Sequence, residues 1–290
     1  MKTIIFAGPT ISADDVSQIL EAECRGPVAQ GDVYKACLDG AETIGIIDGY
    51  FDGVPSVWHK EILWAIAKGV QVFGSASMGA LRAAELDAFG MIGVGKIYED
   101  YRDDILEDDD EVAIVHGPAE IGYVCLSEPM VSIRATIEEA VACQTVSISQ
   151  GAMLIERAKN LHYRSRTWQA VLDETGSILN DCETENLKNW LQSGCVDLKR
   201  NDAVLMLQTM AEGRSKKSES DYDFEHSLVW EELTARVGGS HSDIGEECLA
   251  VLDELRLQKD FFVRTEREVH FRKLAEDAVD DKDMMRTPVQ

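Results

Sequence analysis

The sequence predicts an α/β protein: a mainly parallel sheet with flanking helices in the N-terminal half, followed by an all-helical C-terminal region. Two observations carry this. Short β-branched or apolar runs, Thr3-Ile4-Ile5-Phe6-Ala7, Thr43-Ile44-Gly45-Ile46-Ile47 and Val70-Gln71-Val72-Phe73-Gly74, each close on a turn and lead into a helical pattern, the rhythm of parallel strands joined by helical crossovers. Beyond about residue 166 glycine thins out and only amphipathic helical stretches remain. The expected boundaries are an α/β core over 1–165 and a helical region over 166–290.

The first run ends at Gly8-Pro9, and Ser12 with Asp14 and Asp15 marks a helix start. The helix spans 13–24, with Val16, Ile19 and Leu20 at helical spacing. Gly26-Pro27 breaks the chain, and 33–38 is a second short helix. The second strand leads into Asp48-Gly49-Tyr50-Phe51, then a helix over 56–68 whose apolar stripe is Val57, Ile62, Leu63 and Ile66. Gly69 is a helix-ending glycine. The third strand feeds a helix over 77–89. A further strand is expected at Val112-Ala113-Ile114-Val115, and helices at 130–143, 150–161, 167–175, 184–193, 201–212, 224–237, 243–257 and 265–279. Residues 213–221 read as a polar loop, 280–290 as a frayed end.

Composition bounds the function. Hydrophobic residues make up 45% of the 290 residues, enough for a packed core. Asp and Glu outnumber Lys and Arg 53 to 28, a net charge of −25. That field repels phosphate backbones, so nucleic-acid binding is not expected; it would attract a basic partner. No apolar run reaches the roughly 18 residues of a membrane helix, and the N-terminal run breaks too early for a secretory segment, so a cytoplasmic protein is expected. The cysteines at 24, 37, 125, 143, 182, 195 and 248 form no CxxC pair and read as reduced, mostly buried thiols. The acidic run 107–111 reads as a solvated face.

The segment with the most local chemistry is Gly74-Ser75-Ala76-Ser77-Met78-Gly79, where a strand meets a helix. Ser75-Ala76-Ser77-Met78-Gly79 matches the G-x-S-x-G nucleophile elbow with serine in place of the first glycine. In that geometry Ser77 presents its hydroxyl at the turn, and the backbone amides of Met78 and Gly79 face a developing oxyanion. The simpler reading is that Ser77 or Ser75 caps the helix. A base is offered by Lys60, whose neighbours Trp58 and Trp64 would desolvate it, or by His59; a solvated surface lysine is the plainer alternative. Asp48 and Tyr50 lie at the carboxyl end of a strand, where open α/β sheets bind ligands. His116 follows another expected strand. No metal-ligand spacing is present, and no cofactor is implied. A phosphate cradle at Gly74–Gly79 would lack the Gly-Lys-Ser ending of a P-loop.

Taken in order, IDGYF, PSVWHKEILWAIAKGVQVFGSASMGALRAAEL, FGMIGVGKIYEDY, LEDDDEVAIVHGPAEIGY and LSEPMVSIRATIEEA resemble the core of the TfuA family, over roughly residues 1–145. The resemblance implies an accessory role beside a YcaO enzyme in peptide backbone thioamidation, as in ribosomal peptide antibiotics. It further implies a Ser–Lys hydrolase-like site that releases sulfide from the thiocarboxylated C-terminus of a ThiS-like ubiquitin-fold carrier, with the precursor peptide an indirect partner. Ser77 and Lys60 are the pair expected here, with Ser75 and Lys96 as alternatives. A non-catalytic partner that docks the YcaO enzyme and improves its hold on the peptide is the competing reading. Whether the chain forms a homo-oligomer is left open.

Overall fold

In the computed structural model, residues 2–173, 176, 178–213 and 224–238 are described. The expected helices at 243–257 and 265–279, the end at 280–290 and most of the loop at 213–221 lie outside them. The strands are β1 (Thr3–Phe6), β2 (Glu23–Arg25), β3 (Thr43–Ile46), β4 (Gln71–Gly74) and β5 (Ile92–Gly93). The helices are α1 (Ala13–Ile19), α2 (Asp32–Leu38), α3 (His59–Ala67), α4 (Met78–Leu86), α5 (Lys96–Arg102), α6 (Met130–Ala142), α7 (Ile148–Asn160), α8 (Trp168–Asp173), α9 (Asp181–Gly194), α10 (Leu198–Ala211) and α11 (Leu228–Gly238). Among the described residues, no helix is long and apolar enough to cross a membrane.

All pairings in the sheet are parallel and the strand order is β2-β1-β3-β4-β5. A parallel sheet is buried on both faces, which is why its inner strands read as unbroken apolar runs. On one face Ile4, Phe6, Ile44, Ile46 and Val72 pack with Ile62 and Ile66 of α3, Ala80 and Ala83 of α4 and Ile97 of α5. On the other, Ile5, Ile47 and Phe73 pack with Val16 of α1 and with Ala203, Met206 and Leu207 of α10. The short α1 is too small to cover that face, so a helix from the far end of the chain completes it. A separate apolar cluster joins α6 to α9 through Ile133, Ile137, Leu154, Leu187 and Leu191.

Three local expectations are corrected. The first helix stops at Ile19, and Glu23–Arg25 is an edge strand instead of a helix end. Residues 112–115 join no sheet; they follow a 3-10 turn at Asp109–Glu111, and only His116 forms a bridge, to Cys125. The acidic run is also not simply solvated. Glu111 is buried and pairs with Arg134 and Lys159, while Asp110 accepts from the fully buried Arg166 at 2.8 Å. Desolvated carboxylates need such partners.

Two buried carboxylates tie helices together. Glu61 in α3 accepts from the backbone amides of Trp58 (3.1 Å) and Tyr34 (3.4 Å), the second of these in α2. Burial pushes its carboxyl up to about 7, against the pull of those amides. Asp202 of α10 accepts from Ile97 at the start of α5 (2.8 Å). The preceding Gly95 has φ +102, and a Cβ there would stand 2.4 Å from the Asp202 carboxyl carbon, so glycine is required twice over.

Candidate functional site

The strand order reverses between β1 and β3, so the loops leaving these strands part and open a crevice at the carboxyl edge. Asp48, just past β3, holds one wall together. Its Oδ2 accepts from the amides of Gly8 and Thr10, each at 2.9 Å, and its Oδ1 from Thr10 Oγ1 at 2.6 Å. It is 2% exposed.

Opposite it stands a residue that sequence reasoning missed. Lys199, in the first turn of α10, is 3% exposed, and its Nζ donates to the carbonyl of Val112 at 3.2 Å and lies 3.8 Å from Asp48 Oδ1. Burial drives its pKa down from the ordinary lysine range, while Asp48, Cys125 and Asp197 hold it up. The signal was in the periodicity: Lys199, Ala203 and Met206 fall on one helical face, so the lysine sits on the stripe that faces the core.

Lys199 reaches a cavity of about 240 Å3 whose walls include Thr10, Cys125, Ser127, Ser132 and Asp197. Ser127 Oγ accepts from the Val115 amide at 2.8 Å. Cys125 Sγ lies 3.7 Å from the Pro9 carbonyl. Loss of hydration raises its thiol pKa, and the nearby Lys199 opposes that shift. The residue as a whole is exposed, as are Cys143, Cys182 and Cys195. The expected burial of the cysteines therefore fails for these four, which lie in loops or on helix surfaces. Cys24 and Cys37 are half-buried, and burial raises the Cys37 thiol to about 12.

The strand-to-helix turn at 74–79 is built as tightly as its small residues suggest. A Cβ on Gly79 would stand 1.8 Å from the Ile46 carbonyl oxygen, and one on Gly74 would stand 2.1 Å from the carbonyl oxygen of Gly79. The left-handed residue is Ala76, with φ 65, a conformation that costs a non-glycine residue about 1 kcal/mol or more. Ser77 follows it with φ −126 and ψ −122, is 2% exposed, and occupies the N-cap position of α4 without making a side-chain cap bond. Ser75 is spent differently: its Oγ donates to the Val94 carbonyl at 2.7 Å. Of the two expected oxyanion donors, Gly79 gives its amide to the Ile47 carbonyl at 3.3 Å, while the Met78 side chain packs on Gly49.

The remaining candidates are dispersed. Lys60 Nζ donates to Ser227 Oγ at 2.9 Å and lies 5.5 Å from the centre of the Phe224 ring. Its aromatic neighbour is thus Phe224; Trp64 stacks instead with Tyr34 and Trp230. Among the described residues, no hydrogen bond joins Lys60 to Ser77. His59 pairs with Glu85 at 2.7 Å on the surface. Lys96 pairs with Asp100. Tyr50 and His116 do come together, with ring centres 6.1 Å apart, and Tyr123 also lies against His116, edge-on at 5.6 Å.

The model of the TfuA-like protein family matches residues 48–167, from Asp48 at the crevice to the segment that leads into α8. No curated protein matches the chain.

Proposed function

From the match of residues 48–167 to the TfuA-like family model, we propose that this chain is the accessory partner of a YcaO-type enzyme in backbone thioamidation and releases sulfide from a thiocarboxylated ubiquitin-fold carrier. The observation that carries the hydrolytic step is Ser77, whose hydroxyl caps nothing although it stands at the N-cap of α4, directly after the left-handed Ala76. A serine that only capped its helix would bond an amide of the first turn.

In this reading the Ser77 oxygen adds to the thiocarboxylate carbon and its proton passes through an amine to sulfur. Hydrosulfide leaves, an ester forms, and water cleaves it to carboxylate and free serine. Lys60 is the amine that the sequence offers; to serve, it must exchange its bond with Ser227. The test is sulfide release from a thiocarboxylated carrier by Ser77→Ala and Lys60→Met. Loss of release in the serine variant supports the reading, and full activity in either variant removes that residue from the mechanism.

A docking role without covalent chemistry is favoured by one observation. Ile121, Val124 and Leu126 are each more than half exposed in the loop that follows His116, an apolar patch of the kind that partners cover. Replacing all three with serine would abolish stimulation of a YcaO enzyme, with sulfide release intact, if docking is the function.

A further inference from the structure

Lys199 has three N–H donors. One goes to the Val112 carbonyl, and Asp48 Oδ1, at 3.8 Å, lies beyond hydrogen-bond distance. Asp48 is itself already supplied by three donors from Gly8 and Thr10. The ammonium is therefore buried and under-used, a costly arrangement unless something completes it.

A second group in the same cavity is also incomplete. Ser132 is 6% exposed, lines the cavity, and its Oγ has no hydrogen-bond partner. It lies in the first turn of α6, a 13-residue helix whose N-cap, Pro129, offers no side-chain cap. Pro129 and Ser132 both line the cavity, so the positive end of that helix borders it. The volume of about 240 Å3 would hold about eight waters at their liquid density, enough for the last residue or two of a polypeptide.

We propose that this cavity binds a terminal carboxylate or thiocarboxylate, with Lys199 as its cation and Ser132 as its hydroxyl donor. Two carboxyls border the site. They are Glu128 and Asp197; burial and the charge of Asp197 raise the pKa of Glu128. The net charge of −25 disfavours polyanions such as nucleotides more strongly than a singly charged chain end. This inference takes from the proposed function only the choice of thiocarboxylate as one probe.

Calorimetric titration of the full chain with three synthetic tetrapeptides, identical except for a terminal carboxylate, thiocarboxylate or carboxamide, tests it. The two anionic peptides should bind about tenfold or more tightly than the carboxamide, the scale of a charge-assisted hydrogen bond. Lys199→Met should remove that preference, and Ser132→Ala should weaken the anionic peptides about threefold or more. Equal binding of all three peptides, no binding of any, or wild-type affinity in both variants overturns the proposal. The carboxylate peptide has no sulfur to lose, so the two readings fail separately. Anion binding without sulfide release sinks the hydrolytic step, and sulfide release without carboxylate binding sinks the pocket.

Discussion

Lys199 Nζ and Asp48 Oδ1 stand 3.8 Å apart, both nearly inaccessible to solvent, joining the first turn of α10 to the end of β3. The pair connects residues 151 positions apart (199 − 48) and fixes where the last helix of the sheet layer meets the crevice.

Asp48→Ala should be among the most damaging single changes in the protein. It strips acceptors from Gly8, Thr10 and Thr10 Oγ1 and leaves the buried Lys199 without its counter-charge. Breaking one side of a buried ion pair costs about 3–5 kcal/mol, to be read as a fall in the urea midpoint. Asp48→Asn, which keeps an acceptor oxygen, should lose less.

Met206→Ala should cost about 2–5 kcal/mol, since Met206 is fully buried on the α10 face of the sheet. Leu205→Ala, one residue earlier and 48% exposed, should cost well under 1 kcal/mol. Urea unfolding of the two variants measures the difference and reports that α10 belongs to the core.

Glu61 should make stability depend on pH. Its folded value of about 7 lies above its usual 4.5, so the proton is held more tightly in the folded state. The stabilisation is complete below about pH 4.5, declines as pH rises, and is gone above about 7; at about 1.4 kcal/mol per unit it amounts to roughly 3 kcal/mol. Stability of the wild type minus that of Glu61→Gln, followed by urea unfolding from pH 5 to 8, should fall across that interval. A flat difference would contradict the desolvation of the Glu61 carboxyl as the cause of its raised pKa.

Ser75→Ala and Ser77→Ala should separate structure from chemistry. Ser75 loses a buried bond to Val94, worth about 1 kcal/mol, and sulfide release should persist. Ser77 makes no cap bond, so its loss should leave stability within about 0.5 kcal/mol while release falls by orders of magnitude.

Much of the fold was legible because a buried parallel strand needs apolar residues on both faces, and Ile4-Ile5-Phe6 of β1, Ile44 and Ile46 of β3 and Val72-Phe73 of β4 supply them. The edge strand β2 was not. Its three residues, Glu23, Cys24 and Arg25, pair along one side only and carry no apolar run, so the periodicity of the preceding helix ran over them. β5 is two residues long and includes Gly93. At the candidate site the turn at 74–79 was visible in its glycines and serines. The left-handed residue proved to be Ala76, because the serine pattern reports composition and not which residue absorbs the turn.

By itself the sequence determined the alternation of strands and helices, the tight turn before α4 and the carboxylate after β3, since these depend on neighbours within a few residues. Only the tertiary structure decided that α10 closes the second face of the sheet and carries Lys199 into the crevice, and that Lys60 turns toward Ser227. Those outcomes depend on which distant surfaces bury one another, and the buried Lys199 amine takes its lowered basicity from the water that such packing removes, with Asp48 opposing the shift.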